Sequence, residues 1–196
     1  MTVTNFGSVN IDHVYQMEHF VAPGETVSCI DLNHYCGGKG LNQSIALRRS
    51  GVNVRHAGCI GYNGEALKEK LMQFGVDCSK LMEINGDTGH TIIQVDKKGQ
   101  NKILLYGGTN QKMTMDYVDR TLADFGKGDI LLVQNETNLV AYIIERASER
   151  GLKTVFNAAP ISNEVINYPL RLVDWLIVNG SVYTGEFIVG MEPSNV

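Results

Sequence analysis

The stretch Cys36-Gly37-Gly38-Lys39-Gly40-Leu41-Asn42-Gln43-Ser44 decides how the rest of this chain is interpreted. Three glycines within four positions let the backbone approach another group closely, because no side chain stands in the way. The residues from Leu41 to Arg49 are predicted to form a helix, and the free N–H groups at a helix start suit an oxygen-rich ligand. Asn42 and Gln43 lie in its first turn. The alternative is a glycine-rich loop that only caps a core helix.

Two common phosphate-binding loops are excluded by the spacing of these residues. A Walker A loop needs Gly-Lys followed by Ser or Thr, whereas Lys39 is followed by Gly40. A dinucleotide-binding fingerprint needs glycine at its first, third and sixth positions, and counting from Gly38 the sixth residue is Gln43. The loop therefore matches neither class.

Composition narrows the class of protein. The 196 residues are 43% hydrophobic, which suits one sizeable globular core. A net charge of −4 without a basic run argues against nucleic acid or an anionic membrane as the main partner. No apolar stretch reaches membrane-spanning length and the N-terminus lacks a signal-peptide pattern, so we expect a cytoplasmic protein. The four scattered cysteines predict reduced thiols and no structural zinc site.

Helices and apolar strands alternate along the second half of the chain. Residues 130–133, 153–156 and 175–178 are predicted strands, and the helices predicted at 115–125 and 139–150 separate them. This alternation predicts an α/β fold with a mostly parallel central sheet flanked by helices. In the first half we predict strands at 3–9 and 54–60 and a helix at 65–74.

Two segments interrupt this pattern and favour β-structure. His13 to Tyr15 and Thr26 to Ile30 are β-like around a Pro-Gly-Glu break, and a second β-like pair at 91–95 and 102–106 flanks a turn. We interpret them as a small β-sheet lid. The resulting division assigns residues 13–35 and 89–106 to the lid and residues 1–12, 36–88 and 107–196 to the α/β core.

Polar residues follow four of the predicted strands. Asn10 and Asp12 close the strand at 3–9, and a period of two places them on the same face. The other strands end at Gln134-Asn135-Glu136, Asn157 and Asn179. Ligands bind at the carboxyl ends of strands in parallel α/β sheets, so these residues predict a cleft. The alternative is that each is a turn former, Asn10 and Asp12 making an Asx turn.

Together these residues resemble the ribokinase-like (PfkB) carbohydrate kinases. The matching features are Gly37 to Ser44 followed by Gly51 and Gly61, Asn10-Ile11-Asp12, Pro23-Gly24-Glu25-Thr26, Glu136, and Asn157-Ala158-Ala159-Pro160. The resemblance covers the chain to about Val178. The Gly-Gly-Lys-Gly-x-Asn-Gln form is similar to the ribokinase branch rather than to the fructokinase or adenosine kinase branches.

The resemblance implies an ATP-dependent kinase that phosphorylates a sugar hydroxyl, with ribose as the favoured sugar. It also implies Mg²⁺ and a monovalent cation (K⁺) as cofactors, and a homodimer formed through the lid. The sugar-binding residues that it implies are Asn10, Asp12, Gly38, Lys39, Asn42 and Glu136. Asn179 is expected near the ATP phosphates, and Glu186 is the candidate Mg²⁺ ligand.

The sequence departs from the family pattern in two places. The family continues from Asn179 as Asn-x-x-Glu, whereas Val182 stands third and Glu186 is the nearest glutamate. The family's Gly-Ala-Gly-Asp segment, which supplies an oxyanion hole and the aspartate general base, is absent from these 196 residues. We therefore assign no catalytic residue and expect no kinase turnover from the isolated chain. The alternatives are a non-catalytic sugar-binding or dimerising remnant, or an α/β domain without a site.

Overall fold

A computed structural model gives the structure of the protein and describes residues 1–178. In chain order the strands are β1 (Val3–Phe6), β2 (Asn10–Gln16), β3 (Asp31–Gly37), β4 (Val54–Ile60), β5 (Asp77–Glu83), β6 (Gly89–Val95), β7 (Asn101–Tyr106), β8 (Ile130–Gln134), β9 (Lys153–Asn157) and β10 (Trp175–Ile177). The α-helices are α1 (Lys39–Arg49), α2 (Glu65–Gln73), α3 (Met115–Leu122) and α4 (Val140–Glu149). Short 3₁₀ helices lie at Gly108–Gln111, Asn163–Asn167 and Leu170–Leu172.

A six-stranded parallel sheet forms the centre of the fold, with strand order β10-β9-β8-β1-β4-β5. Apolar side chains of α3 and α4 pack on one face, where Phe6 and Phe156 are fully buried. Side chains of α1 and α2 pack on the other face against residues such as Val54. The predicted α/β architecture is confirmed. Its physical reason is that strands with apolar side chains on both sides need helices on both faces of the sheet.

A second, separate sheet contains the strands β3-β2-β6-β7. The central pair β2–β6 is parallel, while β2–β3 and β6–β7 are antiparallel. We call this sheet the lid. The strand predicted at Thr26–Ile30 is wrong: pairing with β2 begins only at Asp31, opposite Gln16, and residues 26–30 form a mostly exposed connection. β-Branched residues alone did not make a strand there, since strands are stabilised by cross-strand neighbours.

Two other sequence predictions about strands are corrected. The strand predicted at 3–9 ends at Phe6, and Asn10 and Asp12 instead begin β2 in the lid. The chain therefore leaves the central sheet three residues earlier than predicted. β5 was not predicted, because its sequence Asp-Cys-Ser-Lys-Leu-Met-Glu is polar, as suits a strand at the edge of the sheet.

Several boundaries agree closely with the predictions. β4 spans the predicted 54–60, and the turn at 96–100 joins β6 to β7. Thr114 caps α3 as predicted, its hydroxyl oxygen accepting a hydrogen bond from the Tyr117 N–H at 3.2 Å. Within residues 1–178 we find no helix that combines the length and the apolar character needed to cross a bilayer.

Candidate functional site

The glycine loop packs against the chain that connects β1 to β2. Gly38 has a φ of 96°, and a Cβ there would lie 2.7 Å from the carbonyl oxygen of Ser8. A Cβ on Gly40 would lie 2.4 Å from the carbonyl carbon of Gly7. The close backbone approach predicted for this loop is therefore made to the protein's own chain. Gly37 is needed for another reason, because a Cβ there would lie 1.9 Å from Oδ2 of Asp12.

The N–H groups at the start of α1 already have protein partners. Lys39 N–H donates to Oε2 of Glu136 at 3.2 Å, and Leu41 N–H donates to the carbonyl of Ser8 at 3.0 Å. Gly40 N–H donates to the Ser8 hydroxyl at 3.4 Å. The prediction that these groups are free for a ligand is wrong. A carboxylate is favoured at a helix N-terminus, and Glu136 takes that place from 97 residues away in the sequence.

Glu136 and Lys39 form an ion pair beside the glycine loop. The Lys39 Nζ lies 2.7 Å from Glu136 Oε1, and the Ser8 hydroxyl donates to Oε2 at 2.5 Å. The Glu136 side chain is 7% exposed, whereas that of Lys39 is 38% exposed. The carboxylate is thus held by the protein, and the partly exposed ammonium keeps donors available to a ligand.

Asp12 is half-buried on β2 and is held by the neighbouring strand. The Thr91 hydroxyl on β6 donates to Asp12 Oδ1 at 2.6 Å, which leaves Oδ2 over Gly37. Burial raises the pKa of the Asp12 carboxyl, and the negative charge of Glu136 adds to this, while the Thr91 hydrogen bond and the positive charge of Lys39 oppose it. Asp12 thus lies against Gly37, two residues before Lys39, which places it beside the loop that carries the Lys39–Glu136 ion pair.

Asn10 lies two residues before Asp12, on the same face of β2, and is 3% exposed. The Asn110 side chain, from the 3₁₀ helix that follows β7, donates to Asn10 Oδ1 at 2.8 Å. Asn42 is exposed on the first turn of α1. Sequence reasoning missed Asn110, which contacts Asn10 from 100 positions away, and Thr91, which contacts Asp12 from 79 positions away.

The remaining strand-end residues serve the fold. Asn157 Oδ1 accepts from the Ala159 N–H at 3.1 Å, as in an Asx turn. Asn135 binds the Pro160 carbonyl and the Tyr168 hydroxyl. The Asn157 contact is that of the turn-former alternative, and the prediction that these side chains line a cleft stays a prediction. Asn179 and Glu186 lie outside the described residues.

A buried polar network between the central sheet and α1 supports the glycine loop. Asn5 donates to the Gly40 carbonyl at 2.9 Å and to the Ser44 hydroxyl oxygen at 2.8 Å. The Ser44 hydroxyl lies 2.8 Å from His56 Nδ1, to which it donates in the tautomer that carries the imidazole proton on Nε2. Gln134 donates to Asn5 Oδ1 at 2.8 Å. Complete burial lowers the pKa of His56 to about 4, which keeps the imidazole neutral. The sequence offered no signal for this network, since its members come from β1, α1, β4 and β8.

Comparison with known proteins identifies relatives over nearly the whole chain. The family model described as pfkB family carbohydrate kinase matches residues 2–180. A ribokinase from Haemophilus influenzae is 34% identical over 199 residues, which cover 97% of this chain and 63% of the relative.

Solved structures give the same result. The ribokinase from Cryptococcus neoformans var. grubii in complex with ADP is 35% identical, with a TM-score of 0.74 over 91% of this chain and 58% of that chain. The Arabidopsis thaliana ribokinase complexed with ribose and ATP is 25% identical, with a TM-score of 0.72 over 89% and 59%. This chain thus spans less than two thirds of each relative's length. The family match and the shared fold establish that it belongs to the pfkB family of carbohydrate kinases.

Proposed function

We propose that this chain supplies the sugar-binding part of an ATP-dependent kinase that phosphorylates a hydroxyl of ribose. The observation that carries the proposal is the placement of Asn10 and Asp12 on one face of a lid strand, near the Lys39–Glu136 ion pair. Carboxylate acceptors and amide or ammonium donors suit vicinal hydroxyls. A site built from such groups discriminates sharply among polyols, because a missing hydroxyl leaves a buried polar group unpaired.

Each proposed ligand group has a role that its environment supports. Asp12 Oδ2 would accept from a sugar hydroxyl, and the Lys39 ammonium and the Asn10 and Asn42 amides would donate. Gly38 would shape the site through its close packing on the Ser8 carbonyl, at the point where the loop enters α1. Glu136 is placed differently, since its carboxylate already accepts from Lys39 and Ser8, so we propose that it holds the Lys39 ammonium in place.

We propose ATP, Mg²⁺ and K⁺ as cofactors of the complete kinase. Relatives have been solved with ADP and with ribose and ATP, which supports nucleotide use. Asn179 would lie near the phosphates and Glu186 would serve Mg²⁺. Residues 1–178 contain no group of three or more His, Cys, Asp or Glu placed to hold a metal ion. The proposals for both cations therefore rest on the family resemblance. We also place the protein in the cytoplasm.

Ribose binding is expected to depend on the Asp12 carboxylate. In a calorimetric titration, D-ribose should bind in preference to fructose and to a nucleoside, and Asp12→Asn should weaken ribose binding at least tenfold, since a hydrogen bond to a charged group contributes about 1.5–3 kcal/mol. Because the pKa of Asp12 is raised, ribose affinity should also fall as the pH falls toward that pKa. Equal ribose affinity in wild type and variant would contradict the proposed site.

Kinase turnover is expected to be absent from the isolated 196 residues, because they contain no Gly-Ala-Gly-Asp segment. The alternative function, a sugar-binding or dimerising remnant, makes the same prediction for this chain. The measurement is ribose-dependent ADP production by repurified chain. Steady production that survives repurification would mean that another group acts as the general base. A longer reading frame that contains the segment would favour the kinase over the remnant.

The lid is proposed to form a homodimer. Large apolar side chains of β3 and β7 are exposed on both faces of the lid. By the strand register, Tyr35 and Ile103 lie on the Asp12 face and Leu104 lies on the opposite face. Leu104 is 67% exposed, and exposed apolar side chains on a sheet commonly mark an association site. Analytical ultracentrifugation should give a dimer for the wild type and a monomer for Leu104→Lys, with an unchanged melting temperature at the lowest concentrations. A variant that stays dimeric would place the interface elsewhere.

A further inference from the structure

Asn110 lies where the lid joins the core. It belongs to the 3₁₀ helix Gly108–Gln111, by which the chain returns from β7, and it is 2% exposed. Its side chain binds the other connection as well, at the point where the chain enters β2. Asn110 Oδ1 accepts from the Val9 N–H at 3.0 Å, and Nδ2 donates to the Val9 carbonyl at 3.1 Å. The Asn110 amide thus links the connection that leads into β2 with the connection that leaves β7.

The Val9 backbone fixes which way the Asn110 amide faces. A backbone N–H can only donate and a backbone carbonyl can only accept, so the oxygen of Asn110 must face the first and its nitrogen the second. The same nitrogen lies 2.8 Å from Asn10. Because an NH₂ group has no acceptor, the Asn10 atom that meets it must be the carbonyl oxygen, Oδ1. The orientation of Asn10 follows from this contact.

We propose that Asn110 is a positioning residue: by binding Oδ1 of Asn10, it determines that Asn10 presents a hydrogen-bond donor to the sugar. With Oδ1 of Asn10 bound to Asn110, the group that Asn10 offers to a ligand is its NH₂, a donor. Thr91 acts in parallel on Asp12, since it occupies Oδ1 and leaves Oδ2, an acceptor. This inference rests on the proposed sugar-binding function.

The consequence is a defined donor–acceptor pair for the ligand. Asn10 and Asp12 lie two residues apart on one strand face. The NH₂ of Asn10 and Oδ2 of Asp12 can therefore bind neighbouring hydroxyl groups of one ligand. A vicinal diol fits this pair when one hydroxyl donates to Asp12 and the oxygen of the next accepts from Asn10. A ligand that lacks the accepting oxygen leaves the Asn10 donor unpaired. The substrate class is therefore a polyol with adjacent hydroxyls.

The orientation can be measured without any ligand. In the ¹⁵N-labelled chain, side-chain NH₂ signals are assigned from Asn10→Asp and Asn110→Ser variants, and their exchange with solvent is measured by NMR. The Asn110 NH₂ should be protected, because both of its protons are hydrogen-bonded, and the Asn10 NH₂ should exchange faster. The reverse pattern would overturn the proposal, whether or not the protein binds ribose.

Ribose binding then tests the role in the site. D-Ribose should shift the Asn10 NH₂ signal and leave the Asn110 NH₂ signal unmoved. Asn110→Ser should weaken ribose binding about tenfold, the size expected from one misplaced hydrogen bond. Asn10→Asp keeps the size of the side chain and lacks a donor, so it should abolish binding while remaining folded by circular dichroism. Ribose binding retained by Asn10→Asp would overturn the proposed polarity. A wild type with the predicted exchange pattern but no ribose affinity would count against the proposed function instead.

Discussion

Replacing Gly40 with alanine is expected to lower the free energy of unfolding by about 3 kcal/mol, at the upper end of the cost of overpacking. The added Cβ would lie 2.4 Å from both Cα and C of Gly7 and 2.5 Å from the Ser8 nitrogen. All three are backbone atoms of the β1–β2 connection, so no side chain can turn aside to make room. The better helix propensity of alanine returns only about 1 kcal/mol.

The matched control for this prediction is Gly126→Ala. A Cβ there would have a single neighbour, the Arg150 carbonyl oxygen at 3.9 Å, and the backbone has no positive φ. Its effect on the free energy of unfolding should be within about 1 kcal/mol. We expect a small stabilisation, because alanine makes the unfolded chain less flexible than glycine does. Urea denaturation followed by circular dichroism measures both. If Gly40→Ala and Gly126→Ala unfold at the same urea concentration, the space between Gly40 and Gly7 is large enough for a methyl group and the close contact is contradicted.

The same substitution should also affect ribose binding, because Gly40 connects two parts of the site. Its N–H binds the Ser8 hydroxyl, which donates to Glu136, and its carbonyl accepts from Asn5 in the buried network. A displacement of α1 from Gly7 would move Lys39, the first residue of that helix, away from its carboxylate partner. Loss of stability and loss of ribose affinity should therefore occur together in Gly40→Ala.

Much of the central sheet could be predicted from local sequence. β8 is a short apolar run, Gly61 follows the end of β4, Gly151 precedes β9, and α3 carries its own capping residue. These signals act within a few residues, so they can be recognised without knowledge of the tertiary structure. β5 lacked such a signal, because an edge strand can satisfy its pairing with a polar sequence.

The candidate site was harder to predict because its organisation is nonlocal. The glycine motif and Asn10-Ile11-Asp12 named the residues of the candidate site, but the sequence assigned Asn10 and Asp12 to the end of the first strand and not to β2. It also could not reveal that Ser8 and Glu136 fill the start of α1. Asn110 and Thr91 are single polar residues in unremarkable surroundings. Only the pairing of β2 with β6 and the return of the chain from β7 bring them to Asn10 and Asp12.

Lowering the pH from 7 to about 4 is expected to destabilise the fold by about 3 kcal/mol through His56 alone. Burial lowers the pKa of His56 from 6.5 to about 4, so between these values the unfolded chain binds a proton that the folded chain excludes. The contribution of His56 is complete above pH 6.5 and is lost as the pH falls toward 4. Each unit of this difference corresponds to about 1.4 kcal/mol. Urea midpoints at half-unit intervals of pH measure the loss.

The control is His56→Asn, compared with wild type at each pH. Asp12 contributes with the opposite sign, since its raised pKa favours the folded state as the pH falls, but it is present in both proteins and cancels in the difference. Asn can still accept a hydrogen bond from Ser44, so the variant keeps the direction of the network and loses the titrating group. The stability difference between the two proteins should therefore shrink steadily below pH 6.5. A constant difference would contradict a neutral, buried His56.

Protonation of His56 should also reach the ligand site. A charged imidazole has no acceptor, so Ser44 could no longer donate to Nδ1 while it accepts from Asn5. Asn5 holds the Gly40 carbonyl, and a disturbed Asn5 loosens the loop that positions Lys39. Because the pKa of His56 in the folded chain is about 4, ribose affinity of the wild type should decline more steeply than that of His56→Asn as the pH approaches 4. Parallel declines in the two proteins would assign the pH dependence of binding to Asp12, whose carboxylate they share, and would leave the network with a role in stability only.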